Sequence, residues 1–174
     1  PHLLGEGLSV IDTAVLSHGA NDHVGGFPAV ADNFRIRQQF SGDPDAIGGI
    51  SCHTQPQPNW TWDGVGFTFL NSRPAKVGNE NDLSCVLQIQ GAHGSALLTG
   101  DIESAAEAAL VRRYGPELAT DVLQIPHHGS KTSSTDGFLK VTSPNFALLS
   151  RGRRNRFKHP SPEVMDRYSF GKIR

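Results

Sequence analysis

The sequence predicts a mixed α/β sandwich formed by a single domain over residues 1–174. Segments with the pattern of strands alternate with segments that have the pattern of helices, and several of the strands are joined by tight turns. This combination favours a mixed sandwich over a purely parallel, doubly wound sheet. A hydrophobic content of 37% and a charged content of 19% are typical of a globular chain rather than a disordered one.

The first part of the chain is predicted to contain two strands separated by a turn and a short helix. The first strand is an apolar run that ends in small polar residues, which indicates burial on both faces. Gly25 and Gly26 mark the tight turn that follows it. In order, we expect a strand over 11–17, a turn over 18–26, a helix over 27–33, a strand over 36–40, and loop with weak strand over 41–58.

Alternation of apolar and polar residues predicts an antiparallel segment in the middle of the chain. Asp63 and Gly64 form a typical hairpin turn between two segments rich in aromatic residues. A second pair of alternating segments flanks a short turn further on. We therefore expect strands over 60–62, 65–70, 84–90 and 95–99, with a loop over 72–83.

The last part of the chain is predicted to alternate between helices and short buried strands. The helix over 103–114 opens with acidic residues and closes on Arg112 and Arg113 before Gly115, which suits the helix dipole and a glycine C-terminus. The remaining elements are a strand over 122–125, a helix capped within 130–134 and running to 140, a strand over 145–150, and a helix over 163–170 that follows Pro162.

The charge of the chain is unevenly distributed. The net charge of −1 excludes a protein that binds nucleic acid through its overall charge. Residues 1–150 nevertheless carry a net charge of −7 and residues 151–174 a net charge of +6. The densest stretch, residues 151–158, holds five cations and is a candidate phosphate-binding surface if it lies beside a catalytic centre. Phe157 within it could stack on a base, although such a residue is more often part of a core.

Three features of the sequence bear on whether the chain crosses a membrane, whether it is part of a longer protein, and whether it has a disulfide or a zinc site. No apolar run approaches the roughly 18 residues of a membrane helix. The chain starts at Pro1 without a signal peptide, so we expect a piece of something longer. Cys52 and Cys85 lie 33 residues apart, which excludes a Cys-x-x-Cys zinc site. A disulfide and two buried thiols both remain open.

Three clusters of histidine and carboxylate follow predicted strands, at the ends where α/β folds place their sites. The first has the spacing His-x3-Asp-His, the second is Thr-Gly-Asp, and the third is a His-His pair. Imidazole and carboxylate together are ligands for zinc, manganese or iron. The sequence therefore predicts a metal site, with candidate ligands His18, Asp22, His23, Asp101, His127 and His128.

A candidate anion site follows the His-His pair. Ser130, Lys131 and Thr132 offer hydroxyls, a cation and backbone N–H groups at a predicted helix start.

The order of these motifs resembles the metallo-β-lactamase superfamily. The segments "HGANDHVGG", "LLTGD" and "HHGSKTSS", joined with "WTWDGVGFTFL" and "NRFKHPSPEVMDRY", are similar to the metallo-β-lactamase-like domain of ComEC DNA-uptake channels. The form with two cysteines looks like the Gram-negative branch of that family. The resemblance implies an αββα sandwich with the site at one edge of the two sheets. It also implies a periplasmic domain of an inner-membrane protein, with which a Cys52–Cys85 disulfide would fit.

The resemblance also implies a function. ComEC-like domains are inferred to hydrolyse the DNA strand that is not imported, with two divalent metals such as Mn²⁺ or Zn²⁺. The expected partners are single- or double-stranded DNA and the rest of the membrane channel. By position, Asp22 and His23 are expected to be catalytic as well as liganding, and Asp101 to bridge the metals. The residues expected to contact DNA are Ser130, Lys131, Thr132, Arg153, Arg154, Arg156, Lys158 and His159.

Two departures from the family pattern change these expectations. Ala20 stands where the motif has a liganding Asp, and a methyl group cannot bind metal, so we expect weak metal binding and little turnover. The chain also begins just ahead of the motif strand, so the first strands of the superfamily fold are expected to be missing. An unpaired sheet edge there would favour dimerisation or lower the stability.

Two other functions agree with the same residues. A metallo-hydrolase of small substrates would share the metal site but would not need the cations of residues 151–158. A non-catalytic module that guides DNA would need those cations and no metal, and Ala20 would then be its natural residue.

Overall fold

The computed structural model of the chain describes residues 2–72, 78–171 and 173–174. Its described strands form two sheets, one of three strands and one of six. The smaller sheet is β1 (Val10–Leu16), β2 (Arg35–Ser41) and β3 (Ile50–Ser51). The larger sheet is β4 (Asn59–Trp62), β5 (Val65–Leu70), β6 (Val86–Gln90), β7 (Ser95–Leu98), β8 (Val122–Gln124) and β9 (Phe146–Leu148).

The two sheets differ in strand direction. The smaller sheet is parallel, in the order β1-β2-β3, with Leu16 opposite Ser41. Among the described strands β1 pairs only with β2, so β1 forms an edge of the smaller sheet. The larger sheet runs β4 to β9 in sequence order, antiparallel as far as β7 and parallel from β7 to β9.

Helices cover the outer faces of both sheets. α3 and α4 pack against β2 of the smaller sheet. Apolar side chains of α5, α6 and α7 share one buried cluster with the larger sheet. The helices are α1 (His2–Gly5), α2 (Asn21–Val24), α3 (Phe27–Asn33), α4 (Pro44–Ile47), α5 (Ser104–Tyr114), α6 (Asp136–Thr142) and α7 (Pro162–Phe170).

Alternation along the central strands creates two cores, one on each face of the larger sheet. Phe69 and Leu87 face the smaller sheet and pack with Phe40 of β2. Their chain neighbours Leu70 and Val86 face the helices instead. The layers are therefore helix, sheet, sheet and helix, which confirms the predicted αββα sandwich. The helix-side core also contains Leu97, Ile102, Leu110, Leu123, Phe138 and Val164, all with no exposed side-chain surface.

A disulfide between Cys52 and Cys85 joins the two sheets next to the inner core. Cys52 follows β3 and Cys85 precedes β6, and both side chains are buried. Of the two alternatives that the sequence left open, the structure therefore shows the disulfide.

Most predicted elements lie within a residue or two of their observed positions, but four segments differ. The predicted turn over 18–26 contains α2, and the predicted loop over 41–58 contains α4. In the predicted loop over 72–83, residues 80–83 form a 3₁₀ turn, and residues 73–77 lie outside the described part of the chain.

The helix predicted to be capped within 130–134 begins later, at Asp136. Its cap is Thr135, whose hydroxyl accepts a hydrogen bond from the Phe138 N–H. The preceding serines are used elsewhere: the Ser133 hydroxyl donates to the Ile102 carbonyl, and the Ser134 N–H donates to the buried Glu107 carboxylate. These tertiary hydrogen bonds hold Ser133 and Ser134 in buried positions ahead of the helix, so the prediction of the cap was wrong.

Candidate metal centre

The candidate site lies where strands β1, β7 and β8 end and the two sheets meet. His18 follows β1, Asp101 follows β7, and the pair His127 and His128 follows β8. Backbone hydrogen bonds join these ends: the Cys85 N–H donates to the Ser17 carbonyl over 2.9 Å, and the His127 N–H donates to the Gly100 carbonyl over 3.1 Å. The three clusters predicted from separate parts of the sequence therefore converge at one edge of the sandwich.

Four side chains form the centre of the site. One possible ligand atom from each of Asp22, His23, Asp101 and His128 lies within 4.8 Å of every other. His23 Nε2 lies 3.2 Å from Asp101 Oδ2 and 3.3 Å from His128 Nε2. His128 Nε2 lies 3.4 Å from Asp22 Oδ2 and 3.5 Å from Asp101 Oδ2. We call these four residues the central cluster.

Two buried polar atoms beside this cluster lack hydrogen-bond partners in the described part of the chain. They are His18 Nε2 and Asp101 Oδ1, on side chains that are 0% and 3% exposed. A buried polar group without a partner is costly, so such atoms indicate a missing ligand. The pKa of His18 is lowered to about 4, chiefly by burial and next by the nearby His23. His18 is therefore neutral near pH 7 and has a lone pair available for a cation.

The carboxylate of Asp101 is held in its ionised form. Burial alone raises its pKa, but the hydrogen bond and charge of His23, with the charges of His128 and His127, outweigh burial and lower the pKa overall. Conversely, the pKa of His23 is raised, since Asp101 and Asp22 more than offset its burial. The site thus combines an ionised carboxylate with neighbouring imidazole nitrogens, a combination that a divalent cation would satisfy.

Hydrogen bonds at Nδ1 fix the orientation of two of the imidazole rings. His128 Nδ1 lies 2.8 Å from the Ser150 carbonyl oxygen, which can only accept, so Nδ1 carries the proton and Nε2 is free to bind a metal. His23 Nδ1 lies 2.9 Å from the Ser17 hydroxyl. The two Nε2 atoms therefore face one another at 3.3 Å, an arrangement that is stable with a cation between them.

The residues present fit a divalent metal. The donor set of imidazole nitrogens and carboxylate oxygens is that of zinc or manganese sites, and two of its buried atoms are without partners. Ala20 lines the adjoining pocket with Asp22, Asp101 and His127, and it contributes no donor atom there. This is the position at which the sequence predicts a missing ligand.

His127 lies beside the central cluster rather than within it. Its Nε2 is 4.0 Å from Asp101 Oδ2, and its Nδ1 is 3.2 Å from Glu103 Oε1. The same carboxylate accepts hydrogen bonds from the side-chain amides of Asn79 and Asn81, over 3.0 and 3.2 Å. Of the two adjacent histidines predicted as candidate ligands, His128 is therefore the one in the central cluster, and His127 forms a pair with Glu103.

The predicted anion site is not at a helix start. Ser130 is buried, and its hydroxyl lies 3.0 Å from the Thr132 hydroxyl, which in turn lies 3.4 Å from His127 Nδ1. Because α6 begins only at Asp136, the N–H groups of residues 130–132 are not those of a helix N-terminus. Lys131 is exposed on the same loop.

Residues 151–158, which we call the basic loop, border the central cluster. A pocket of about 540 Å³ is lined by Asp22, His128, Arg156 and Phe157, and a second of about 530 Å³ is lined by Asp101, Arg156 and Phe157 among others. The cationic side chains of the loop are exposed, and His159 is half-buried at its base. The pKa of His159 is lowered by burial and by the charges of His127 and His128. The loop cations are Arg151, Arg153, Arg154, Arg156 and Lys158.

Sequence reasoning missed the residues that orient the candidate ligands. Ser17 and Ser150 are the last residues of two predicted strands, but a serine there carries no distinctive signal. Ser84 links two ligands, because its hydroxyl lies 3.3 Å from His18 Nδ1 and accepts from the Asp101 N–H. Glu103 was assigned only to a helix start, and its pairing with His127 depends on the packing of α5 beside β8.

Comparisons with known proteins agree with this geometry. The family model described as "Metallo-beta-lactamase superfamily" matches residues 1–153. The competence protein ComA of Neisseria gonorrhoeae is 40% identical over 169 residues, covering 96% of this chain and 24% of ComA. Recombination protein 2 of Haemophilus influenzae is 33% identical over 168 residues, covering 96% of this chain and 21% of that protein. The chain thus spans about a quarter of the length of these relatives.

A solved structure shows the same fold. YhfI of Bacillus subtilis, a metallo-beta-lactamase fold protein, matches with a TM-score of 0.50 at 16% identity, over 88% of this chain and 71% of YhfI. Within the described residues, no helix is long and apolar enough to cross a membrane. The chain belongs to the metallo-beta-lactamase superfamily, and it is similar to competence proteins of Gram-negative bacteria.

Proposed function

We propose that this member of the metallo-beta-lactamase superfamily is the nuclease domain of a membrane DNA-uptake protein, and that it hydrolyses the strand that is not imported. The observation that carries the proposal is the position of the central cluster beside a loop with five cations. A phosphodiester backbone is an anion that such a loop attracts without reading sequence. The similarity to a competence protein and a recombination protein supports DNA as the substrate.

The ligands divide between two metal positions in this proposal. His18 and Asp101, each with a buried atom that lacks a partner, would hold one ion. Asp22, His23 and His128, with Asp101 between the two positions, would hold the second. When bound, Mn²⁺ or Zn²⁺ would activate water, polarise the phosphate and relieve the charge on the leaving group. The first position is incomplete, because Ala20 supplies no carboxylate.

The residues of the chain have separate roles in proton transfer and orientation. Ser17 and the Ser150 carbonyl hold the rings of His23 and His128 so that each Nε2 faces the central cluster. Glu103 accepts from Nδ1 of His127 when that atom is protonated, which leaves a lone pair on His127 Nε2 beside the pocket that can accept a proton from the attacking water. Asn79 and Asn81 fix the Glu103 carboxylate.

Substrate contacts are proposed for the exposed cations on two loops. Arg153, Arg154, Arg156 and Lys158 would attract and hold the backbone, with Lys131 on the neighbouring loop. Ser130 and Thr132 already bond to one another, so they would support His127 more than bind phosphate. His159 would place the base of the basic loop against His127, since their rings lie 5.6 Å apart.

The proposed location is the periplasmic side of the membrane, attached to the rest of the channel protein. The Cys52–Cys85 disulfide supports it, because disulfides persist in oxidising compartments and are rare in the cytosol.

Cleavage of a labelled single-stranded oligonucleotide tests the proposed activity. We expect Ala20→Asp to cleave in Mn²⁺ and not in chelator, at a rate at least tenfold above the unmodified chain, because the substitution restores a ligand. Adding His128→Gln to Ala20→Asp removes a central ligand and should abolish the gain. Cleavage that is unchanged by chelator or by His128→Gln would contradict a metal-dependent site.

Substitutions in the basic loop distinguish a nuclease from a metallo-hydrolase of small substrates. In the Ala20→Asp background, replacing Arg153 and Arg154 by Gln should reduce DNA cleavage strongly and leave hydrolysis of a small chromogenic phosphodiester nearly unchanged. Replacing Arg112 and Lys140, exposed cations of the outer helices α5 and α6, is the matched control. Equal loss on both substrates would point to damage of the site instead.

Ala20 itself favours a second candidate, a module that guides DNA without cleaving it. In that case the unmodified chain binds DNA in chelator, and Ala20→Asp gains metal affinity but no cleavage.

A further inference from the structure

Phe157 is an exposed apolar residue in the middle of the basic loop. Its side chain is 62% exposed, so it is not part of a core. It lines both pockets beside the central cluster, together with Arg156 and Asp22. An exposed aromatic ring at the boundary of two pockets of about 540 and 530 Å³ is placed to contact whatever enters either of them.

The ring belongs to a stack that leads toward the metal centre. The Arg156 guanidinium carbon lies 4.7 Å from the centroid of the Phe157 ring. The Phe157 and His159 rings are nearly parallel, at 16°, with centroids 5.7 Å apart, and His159 in turn contacts the His127 ring at 5.6 Å. A planar group bound on Phe157 would therefore lie two ring contacts away from His127.

Asn155 holds the stack in place. Its side-chain oxygen accepts from the His159 N–H over 2.7 Å, and its amide donates to the His159 carbonyl over 2.9 Å. The Lys158 N–H also donates to the Asn155 carbonyl, over 3.3 Å. These bonds close residues 155–159 into a tight turn, so the backbone that carries the aromatic ring is held in place before any ligand binds.

The chemistry of the loop identifies the kind of ligand. Phosphate groups alone would be satisfied by the five cations of residues 151–158, and they offer nothing to an exposed phenyl ring. A nucleobase has a flat face that can stack on the phenyl ring. Proteins bind single strands in this way, by combining cations along the backbone with aromatic rings that stack on bases. The bases of a duplex are already stacked on each other and cannot reach such a ring.

We propose that Phe157, flanked by Arg156 and His159, is a base-stacking platform that makes this site selective for single-stranded DNA. This proposal rests on the proposed nuclease function, because it specifies which form of DNA the same site binds. The platform binds one base beside the scissile phosphate and so leads the backbone between the two pockets. Because every base has a flat face, the platform selects strandedness without selecting sequence.

Binding of paired oligonucleotides in chelator tests the platform without any need for cleavage. The probes are fluorescent octathymidylate, an abasic octamer of the same charge, and an eight-base-pair duplex. We expect the chain to bind octathymidylate about tenfold more tightly than the abasic octamer, the fold-change that corresponds to one stacked base. Phe157→Leu should reduce this ratio to about one, and Phe157→Trp should keep it. Phe170→Leu, which alters a phenylalanine that is 86% exposed on α7, is the matched control and should leave the ratio unchanged.

Each outcome decides the matter, provided that circular dichroism shows each variant to be folded. Equal binding of octathymidylate and the abasic octamer by the unmodified chain would overturn the platform and leave the proposed nuclease intact. A tenfold ratio that survives Phe157→Leu would also overturn it, since another residue would then bind the base. Tighter binding of the duplex than of octathymidylate would do the same. Absence of binding to every probe would overturn both the platform and the role of the basic loop in the proposed function.

Discussion

Gly42 follows β2 and lies against the backbone of Ser17, which follows β1, and of Leu83, which precedes β6. A methyl group at this position would lie 2.1 Å from both the Ser17 carbonyl oxygen and the Leu83 carbonyl oxygen. The backbone of Ser17 leads directly into His18, so the close approach at Gly42 also sets where the first candidate ligand lies. Only a residue without a side chain allows this arrangement.

We expect Gly42→Ala to destabilise the protein by about 3 kcal/mol, the upper end of the cost of overpacking, because two backbone carbonyls must move. Urea denaturation followed by circular dichroism measures the change. Gly137→Ala is the control: a methyl group there meets no atom within 4 Å, and the position lies in α6, so the stability should stay the same or rise slightly. Equal stability of the natural chain and Gly42→Ala would show that the sheets are farther apart than described.

At the scale of single residues, the sequence names candidate ligands that the structure brings together, and it does not name the groups that orient them. His18, Asp22, His23 and Asp101 follow strands in a recognisable pattern, and the structure brings them together. The Ser150 carbonyl contacts Nδ1 of His128 and so determines which of the two adjacent histidines joins the central cluster. Nothing in the local sequence specifies that contact. The pairing of Glu103 with His127 is likewise a product of tertiary packing.

At the scale of elements, the Cys52–Cys85 disulfide fixes the smaller sheet to the larger one. It connects the residue after β3 to the residue before β6 and closes a loop across 33 positions. Cys85 also donates its backbone N–H to Ser17, next to the first ligand. The covalent link therefore supports the edge of the sandwich that holds the site.

We expect replacement of both cysteines by serine to lower the free energy of unfolding by about 2–4 kcal/mol, because the unfolded chain regains the freedom of that loop. The midpoint of urea denaturation measures it. A reducing agent should lower the midpoint of the natural chain and leave that of the double serine variant unchanged. Alkylation of both thiols in the denatured chain without prior reduction would contradict the disulfide.

The elements themselves show where local sequence is sufficient. The hairpin of β4 and β5 and the helix α5 were predictable because turn residues, alternation and end charges all agree. The start of α6 was not, because Ser133 and Ser134 bond to Ile102 and Glu107 instead of capping a helix. Burial of Glu107, which raises its pKa, is a consequence of the same tertiary contact.

At the scale of the whole molecule, the layered fold brings distant segments of opposite charge to one edge. The acidic and imidazole ligands come from residues 18–128, in the part of the chain with a net charge of −7, and the basic loop comes from the part with a net charge of +6. Composition alone, with a net charge near zero, conceals this separation. The sandwich places the central cluster beside the basic loop, which is the arrangement that the proposed metal-dependent nuclease needs.

The most direct test of the proposed metal centre is calorimetric titration of Mn²⁺ into the unmodified chain and the Ala20→Asp variant. We predict that the unmodified chain binds Mn²⁺ weakly and that Ala20→Asp binds it at least tenfold more tightly, because the added carboxylate completes a position that already has His18 and Asp101. Adding His128→Gln to Ala20→Asp should remove most of that gain. Equal affinity of the natural chain and Ala20→Asp, or a gain that His128→Gln leaves intact, would contradict the claim that these side chains form a metal centre.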